Sequence, residues 1–154
     1  MKPFYTLNFN ARMCHMKITV NEVPLFSMDF DGQCSTRYPF NNLLLDSGQA
    51  FIKYEALPLK GEVQLHEEAY LSCEVELYDL DSGYEPIATM ASYETPQQDN
   101  AIQQDNAIIP YFVHEETFRV DMPYTLMGWR QSTKLDRLKD ELRPLVFRKY
   151  NSLI

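Results

Sequence analysis

Apolar and polar residues alternate along much of this 154-residue chain, and the alternation predicts β-strands. The clearest case is Tyr70 to Leu80. One phase of this segment is apolar and the other is polar or aromatic: Leu71, Cys73, Val75 and Leu77 against Ser72, Glu74, Glu76 and Tyr78. A period of two is typical of a strand with one buried face. We therefore expect the apolar phase in the core and the glutamate-bearing phase in solvent.

Other segments of strand character are residues 4–9, 13–20, 87–93 and 111–122. Asn21-Glu22 is predicted to be a turn that returns the chain through Val23–Phe26. Because Pro24 has no amide to donate, we expect that return strand to lie at a sheet edge or to begin there. Residues 29–37 are polar and are expected to form a turn-rich connection.

The segment from Tyr38 to Pro58 predicts a β-hairpin at the centre of the fold. Its arms are the apolar run Leu43–Leu45 and the longer run 50–57, joined by Asp46-Ser47-Gly48. Gly48 suits a turn of this kind because glycine adopts positive φ without a steric cost.

The period changes from two to about 3.6 near the C-terminus, which predicts a helix. Ser132 or Thr133 can cap it, and leucines follow at helical spacing: Leu135, Leu138, Leu142 and Leu145. Pro144 is expected to end or kink the helix, because proline inside a helix costs about 3 kcal/mol.

About eight strands followed by a helix predict a single, mainly-β domain. We expect an antiparallel β-sandwich or jelly roll over residues 1–130, with the helical segment 131–154 packed on it. The sequence Gln97–Ile102 is repeated immediately as Gln103–Ile108. A unit this short is no solenoid repeat, and we interpret it as a duplication in an exposed loop.

Charge is unevenly distributed along the chain. The net charge is −8, but residues 1–129 hold seven Lys/Arg against 19 Asp/Glu and residues 130–154 hold seven against three. A body with a net charge of −12 argues against nucleic-acid binding and favours a cationic protein partner. No apolar run is long enough to span a membrane and the N-terminus does not resemble a signal peptide, so we expect a cytoplasmic protein without a membrane partner.

Two aspartate clusters carry the main candidate metal chemistry. Asp29 and Asp31 precede Gly32, and Asp79 and Asp81 precede Gly83. Calcium prefers several carboxylate oxygens that converge from loops, so the four aspartates are candidate calcium ligands. Asp and Gly are also the usual turn residues, and neither cluster matches a complete EF-hand loop.

No catalytic constellation is evident in the sequence. The triplets beginning at His66 and His114 lack the spacing of a zinc site, and no Gly-x-Ser-x-Gly motif is present. Cys14 and His15 are adjacent and would face opposite sides of a strand. The three cysteines are expected to be reduced, buried thiols. We therefore predict a non-enzymatic protein without a cofactor. A small hydrolase would need His, Asp and Glu side chains that only the fold brings together.

Exposed tyrosines and carboxylates are the candidate partner-binding residues, because a rigid amphipathic ring makes an effective anchor at an interface. The candidates lie before, within and after the predicted hairpin: Asp29, Asp31, Tyr38, Tyr54, Glu74, Glu76 and Tyr78.

The chain resembles a group of small bacterial β-sandwich proteins. The resemblance rests on two segments, Ile18–Phe26 and Pro39–Gly48, and on Pro58 and Trp129. Some members of that group lie beside secreted toxins as immunity proteins. The resemblance implies a toxin-neutralising binding protein and transfers no catalytic residue. Our leading hypothesis is a protein that binds a cationic protein partner, and the alternative is a carbohydrate- or calcium-binding module.

Overall fold

The computed structural model describes residues 1–96, 110–128, 131 and 139–153. Its elements are β1 (Pro3–Val20), β2 (Val23–Pro39), a 3-10 turn (Asn41–Leu43), β3 (Gly48–Leu57), β4 (Tyr70–Asp79), β5 (Pro86–Glu94), β6 (Phe112–Val120) and α1 (Lys139–Ser152). All strand pairs are antiparallel. The predicted class, a mainly-β antiparallel fold with a C-terminal helix, is confirmed.

Strand β1 is shared by the whole sheet. One edge pairs with β2 from Thr6 to Val20. The other edge pairs with β4 over Pro3–Arg12 and with β3 over His15–Val20. Since β5 pairs with β4 and β6 pairs with β3, the path runs β5-β4-β1-β3-β6, with β2 on the second edge of β1. The sheet therefore divides into two halves that meet on one strand.

The division falls at Met13. This residue has φ of 49°, and the β1–β2 register shifts between Arg12 and Cys14. Met13 there stands against two residues of β2, Asp31 and Gly32, and a two-against-one bulge of this kind bends the paired strands. The inward-facing residues are consequently odd-numbered before Met13 and even-numbered after it: Tyr5, Leu7, Phe9 and Ala11, then Cys14, Met16, Ile18 and Val20. The two predicted strands 4–9 and 13–20 are one bent strand.

The core lies between the two halves and contains aromatic side chains from most strands. Phe9 contacts Phe26 and Phe30 of β2, with ring centroids 5.2 and 6.0 Å apart. Tyr5 lies 6.4 Å from Phe40 and 6.4 Å from Phe118 of β6. These contacts cross from one half to the other, so neither half buries its apolar face alone.

The predicted hairpin over Tyr38–Pro58 is wrong in its first arm. Residues 41–43 form a 3-10 turn, and Leu43, Leu44 and Leu45 are all buried. Three consecutive buried side chains are incompatible with an alternating strand, and they close one end of the core instead. The Asn41 side chain holds this segment to β1: its Oδ1 accepts from Tyr5 N at 2.7 Å and its Nδ2 donates to Pro3 O at 3.0 Å.

The predicted loop over residues 29–37 is also wrong, because β2 continues through it to Pro39. In the described structure β2 pairs only with β1. Its polar composition therefore reflects an exposed edge strand, and Pro24 lies on that edge as predicted.

Strands β5 and β6 meet at a seam that nearly closes the sheet. Tyr93 of β5 stacks on His114 of β6 with ring centroids 4.7 Å apart and planes within 9°. Tyr54 of β3 stacks on Tyr93 from the core side at 5.3 Å. Side-chain stacking is what joins these two edges in the described structure, since the strand path ends at β5 and β6.

Helix α1 contains Pro144 within its length. Every residue of α1 whose exposure is described is exposed, so packing of this segment on the sheet stays a prediction. The duplicated sequence at 97–108, the capping residues Ser132 and Thr133, and Trp129 lie outside the described residues. None of the helices in the described part of the chain is long and apolar enough to cross a membrane.

Replacing Leu7 with alanine tests the packing between the halves. We expect the free energy of unfolding to fall by about 2–5 kcal/mol, because the side chain is completely buried. Leu80→Ala is the matched control, since Leu80 is exposed, and should change stability by less than about 0.5 kcal/mol. Urea unfolding followed by circular dichroism measures both, and equal losses would contradict the assignment of the core.

Candidate functional site

The turn between β4 and β5 carries three large exposed side chains. We call residues 79–87 the β4–β5 tip. Tyr84 is 97% exposed, Leu80 56% and Ile87 51%. Large apolar side chains left in water at this density mark an interaction site more often than chance exposure. The tip therefore qualifies as a candidate binding site.

Three carboxylates surround these side chains, and two of them are fixed by the N-terminus of the chain. Asp79 Oδ1 accepts from the Lys2 backbone N at 2.9 Å and from Asp81 N at 3.1 Å. The backbone hydrogen bond from Lys2, followed by that from Asp81, lowers the pKa of Asp79. Asp81 Oδ1 lies 3.1 Å from Lys2 Nζ. Glu85 is exposed beside Tyr84 and completes an acidic surround.

Two of the candidate partner-binding residues on β4 are buried. Glu76 is only 7% exposed and Tyr78 only 5%, so the prediction that this whole phase faces solvent is wrong. Tyr78 OH donates to Glu76 Oε2 at 2.7 Å, and Arg37 Nε lies 3.5 Å from the same oxygen. The Arg37 guanidinium also lies over the Tyr78 ring at 5.1 Å. A buried carboxylate needs such partners because desolvation otherwise disfavours its charge.

The apolar phase of β4 is in the core as predicted, and Glu74 is exposed as predicted. Glu74 lies opposite Asn8 of β1 and Ser92 of β5. It therefore adds a carboxylate to the outer face of the same hairpin that carries the tip.

Tyr54 was expected on an exposed sheet face and is instead completely buried. Its hydroxyl donates to Glu116 Oε1 at 2.7 Å, and Glu116 Oε2 lies 3.5 Å from His114 Nε2. Burial, followed by the hydrogen bond to Glu116, raises the pKa of Tyr54. This network lies at the β5–β6 seam, so Tyr54 stabilises the closure of the sheet. Tyr38, at the end of β2, is exposed as expected.

The four candidate calcium ligands do not converge. Asp79 pairs with Pro3 at the start of β1, whereas Asp29 pairs with His15 of the same strand. Twelve residues of strand separate these positions, a path of about 40 Å along β1. Asp31 is exposed near Asp29. In the part of the chain that the structure describes, no group of three or more His, Cys, Asp or Glu side chains is placed to hold a metal ion.

Asp29 instead belongs to a polar cluster on the outer face of β1 and β2. Its Oδ1 lies 2.7 Å from His15 Nδ1, and His15 Nε2 lies 2.8 Å from Ser27 Oγ. Neither His15 nor Ser27 stands out in the sequence. Their contact depends on the exact register of two strands, which the periodicity of the sequence does not show.

The cysteines divide by burial. Cys14 and Cys73 are buried and Cys34 is half-buried, and all three are free thiols. Burial raises the pKa of Cys14 to about 11 and raises that of Cys73 further. Both core thiols are therefore poor nucleophiles at neutral pH.

Comparison with protein-family models, with curated proteins and with solved structures finds no match for this chain. The candidate sites consequently rest on the chemistry and geometry of its own residues.

Replacing Tyr78 with phenylalanine tests the buried cluster beneath the tip. We expect the free energy of unfolding to fall by about 1–3 kcal/mol, because the buried Glu76 carboxylate loses its hydroxyl donor. Tyr84→Phe removes a hydroxyl from a fully exposed ring and should change stability by less than about 0.5 kcal/mol. Urea denaturation measures the stability of both variants. A Tyr78→Phe variant as stable as wild type would disprove the role of the hydrogen bond.

Alkaline pH should destabilise the fold through its buried phenols. The pKa of Tyr54 is raised in the folded chain, whereas a tyrosine in the unfolded chain ionises at about pH 10. The unfolded state therefore loses its protons first, and stability that is complete below about pH 10 declines above it. Urea unfolding at a series of pH values should show this decline, and it should be smaller in Tyr54→Phe. An identical decline in wild type and variant would show that Tyr54 does not contribute to the loss of stability at alkaline pH.

Proposed function

We propose that this chain is a protein-binding protein that engages a cationic partner through the β4–β5 tip. The observation that carries the proposal is the exposure of Tyr84, Leu80 and Ile87 within nine residues of acidic chain. Tyrosine is enriched among the residues that dominate binding energy, because its large rigid ring buries much area and orders few bonds.

The charge around the tip supports a cationic partner. Asp81 and Glu85 flank the apolar side chains, and Glu74 is exposed farther along β4. The Lys2 ammonium offsets part of this charge at Asp81. Residues 1–129 carry a net charge of −12, and a field of that sign accelerates encounter with a basic protein.

The resemblance to small bacterial β-sandwich proteins suggests one kind of partner. Some of those proteins neutralise secreted toxins, and a cationic toxin would suit the acidic surround of Tyr84. The proposal therefore includes an immunity or inhibitor role in the cytoplasm. The absence of enzymatic activity stays a prediction.

The alternative, a carbohydrate- or calcium-binding module, has less support. The candidate calcium ligands are separated along β1. Arg12 covers the Tyr70 ring at 5.5 Å and Arg37 covers the Tyr78 ring at 5.1 Å, so these two rings are not open for stacking against a sugar. No specific contact favours either ligand over a protein.

Replacing Tyr84 with alanine tests the binding proposal. Immobilised wild-type protein should retain a basic protein from its source cells and release it as the salt concentration rises, because the attraction is between exposed charges. We expect Tyr84→Ala to bind that partner about tenfold more weakly or worse, a loss of about 1.4 kcal/mol.

Tyr111→Ala is the matched control, since Tyr111 is also exposed but precedes β6. It should bind like wild type. Equal binding by Tyr84→Ala and wild type would place the interface elsewhere, and failure to retain any basic protein from the source cells would oppose the function itself.

A further inference from the structure

Three side chains on the outer face of β1 and β2 form an ordered hydrogen-bond chain. Ser27 Oγ lies 2.8 Å from His15 Nε2, and His15 Nδ1 lies 2.7 Å from Asp29 Oδ1. Ser27 and Asp29 are two residues apart on β2, so they share a face, and His15 lies directly opposite Asp29 on β1. The cluster belongs neither to a motif identified in the sequence nor to the proposed binding tip.

The direction of each hydrogen bond follows from the chemistry of the groups. An ionised Asp29 carboxylate only accepts, so it requires the proton on His15 Nδ1. In the neutral imidazole with its proton on Nδ1, Nε2 is the acceptor and Ser27 donates its hydroxyl proton to it. A serine donating to an imidazole that is oriented by a carboxylate is the arrangement that activates serine as a nucleophile.

The cluster is both held in place and open to solvent. His15 is 29% exposed and Asp29 is 35% exposed at the side chain, and Ser27 is exposed. A small molecule can therefore reach Ser27 without any opening of the fold.

Charged groups on the neighbouring strands are placed by the same register. Lys17 lies directly opposite Ser27 on β1, and Glu55 lies opposite Lys17 on β3. A lysine ammonium on the face of the nucleophile stabilises negative charge as it develops on a substrate oxygen. The apolar Leu57 lies opposite His15 on β3.

We propose that Ser27 is a nucleophile that His15 activates and Asp29 positions, and that it transfers acyl groups from small carboxylic esters. Ser27 Oγ attacks the carbonyl carbon while its proton passes to His15 Nε2. The ester C–O bond then breaks, and His15 returns the proton to the leaving alkoxide as an alcohol. Water, deprotonated by His15, releases the acid from Ser27 and restores the hydroxyl.

This inference is independent of the binding proposal, because the cluster and the β4–β5 tip lie far apart on β1. It also revises the expectation that the chain is non-enzymatic. The open sheet face suits esters small enough to need no enclosing pocket.

A fluorophosphonate probe tests the nucleophile on the whole protein, with intact mass and peptide mapping as readouts. We expect one adduct, on Ser27, because the probe reacts with serines that a neighbouring base activates. Ser27→Ala should abolish it and His15→Ala should slow it about 100-fold or more. Ser35→Ala removes another exposed serine of β2 and should react like wild type.

Asp29→Asn separates positioning from stability. We expect slower labelling with an altered dependence on pH, because the imidazole loses the group that fixes its tautomer. Circular dichroism should show all variants folded, since the three side chains are on the surface. Absence of a Ser27 adduct in wild type would overturn the inference, and so would labelling that His15→Ala and Asp29→Asn leave unchanged.

Discussion

The bulge at Met13 is the constraint on which the rest of the structure depends. A straight strand of 18 residues would present a single apolar phase to a single flat layer. At this bulge Met13 stands against two residues of β2, and the buried phase of β1 reverses across it, so Ala11 and Cys14 both face the core. The left-handed backbone of Met13 costs about 1–2 kcal/mol, which the burial of apolar side chains on both sides of the bend outweighs. The two half-sheets then enclose one core, and β5 and β6 meet at the aromatic seam.

The same strand separates the functional features of the molecule. The start of β1 supports β4, and through it the buried Glu76–Tyr78–Arg37 cluster and the exposed tip. The second half of β1 carries His15 and sets its pairing with β2. One end of the sheet therefore carries the tip that we propose binds a protein, and the other carries the serine that we propose reacts with small esters. The serine cluster lies on paired strands, which hold side chains more firmly than loops, whereas the tip is the turn that joins β4 to β5.

The alternation of apolar and polar residues and the turn residues predicted those parts of the fold that depend on neighbouring residues in the sequence. The alternation in β4 correctly identified its buried phase, and Asn21-Glu22 does form a turn, with both residues at positive φ. The buried run Leu43–Leu45 was predicted as a strand because an apolar run does not reveal whether it alternates or caps a core. The burial of Glu76 and Tyr54 was missed because their partners, Arg37 and Glu116, come from distant segments.

The serine cluster was beyond sequence reasoning for a more specific reason. A hairpin that turns at Asn21-Glu22 and continues in regular register would place His15 opposite Met28. The structure shifts the register by one residue between Ile18 and Thr19, so His15 pairs with Asp29 and Lys17 with Ser27. A shift of one residue exchanges the two faces of a strand, and the hydrophobic pattern of an exposed edge strand constrains it weakly.

The register of the bent hairpin is therefore the most direct test of the account. Nuclear Overhauser contacts between backbone protons of β1 and β2 measure it without any substitution. The structure predicts contacts of Lys17 with Ser27 and of His15 with Asp29, together with an interruption at Met13. Contacts that place His15 opposite Met28 would contradict the serine cluster, and contacts that run through Met13 without interruption would contradict the bend.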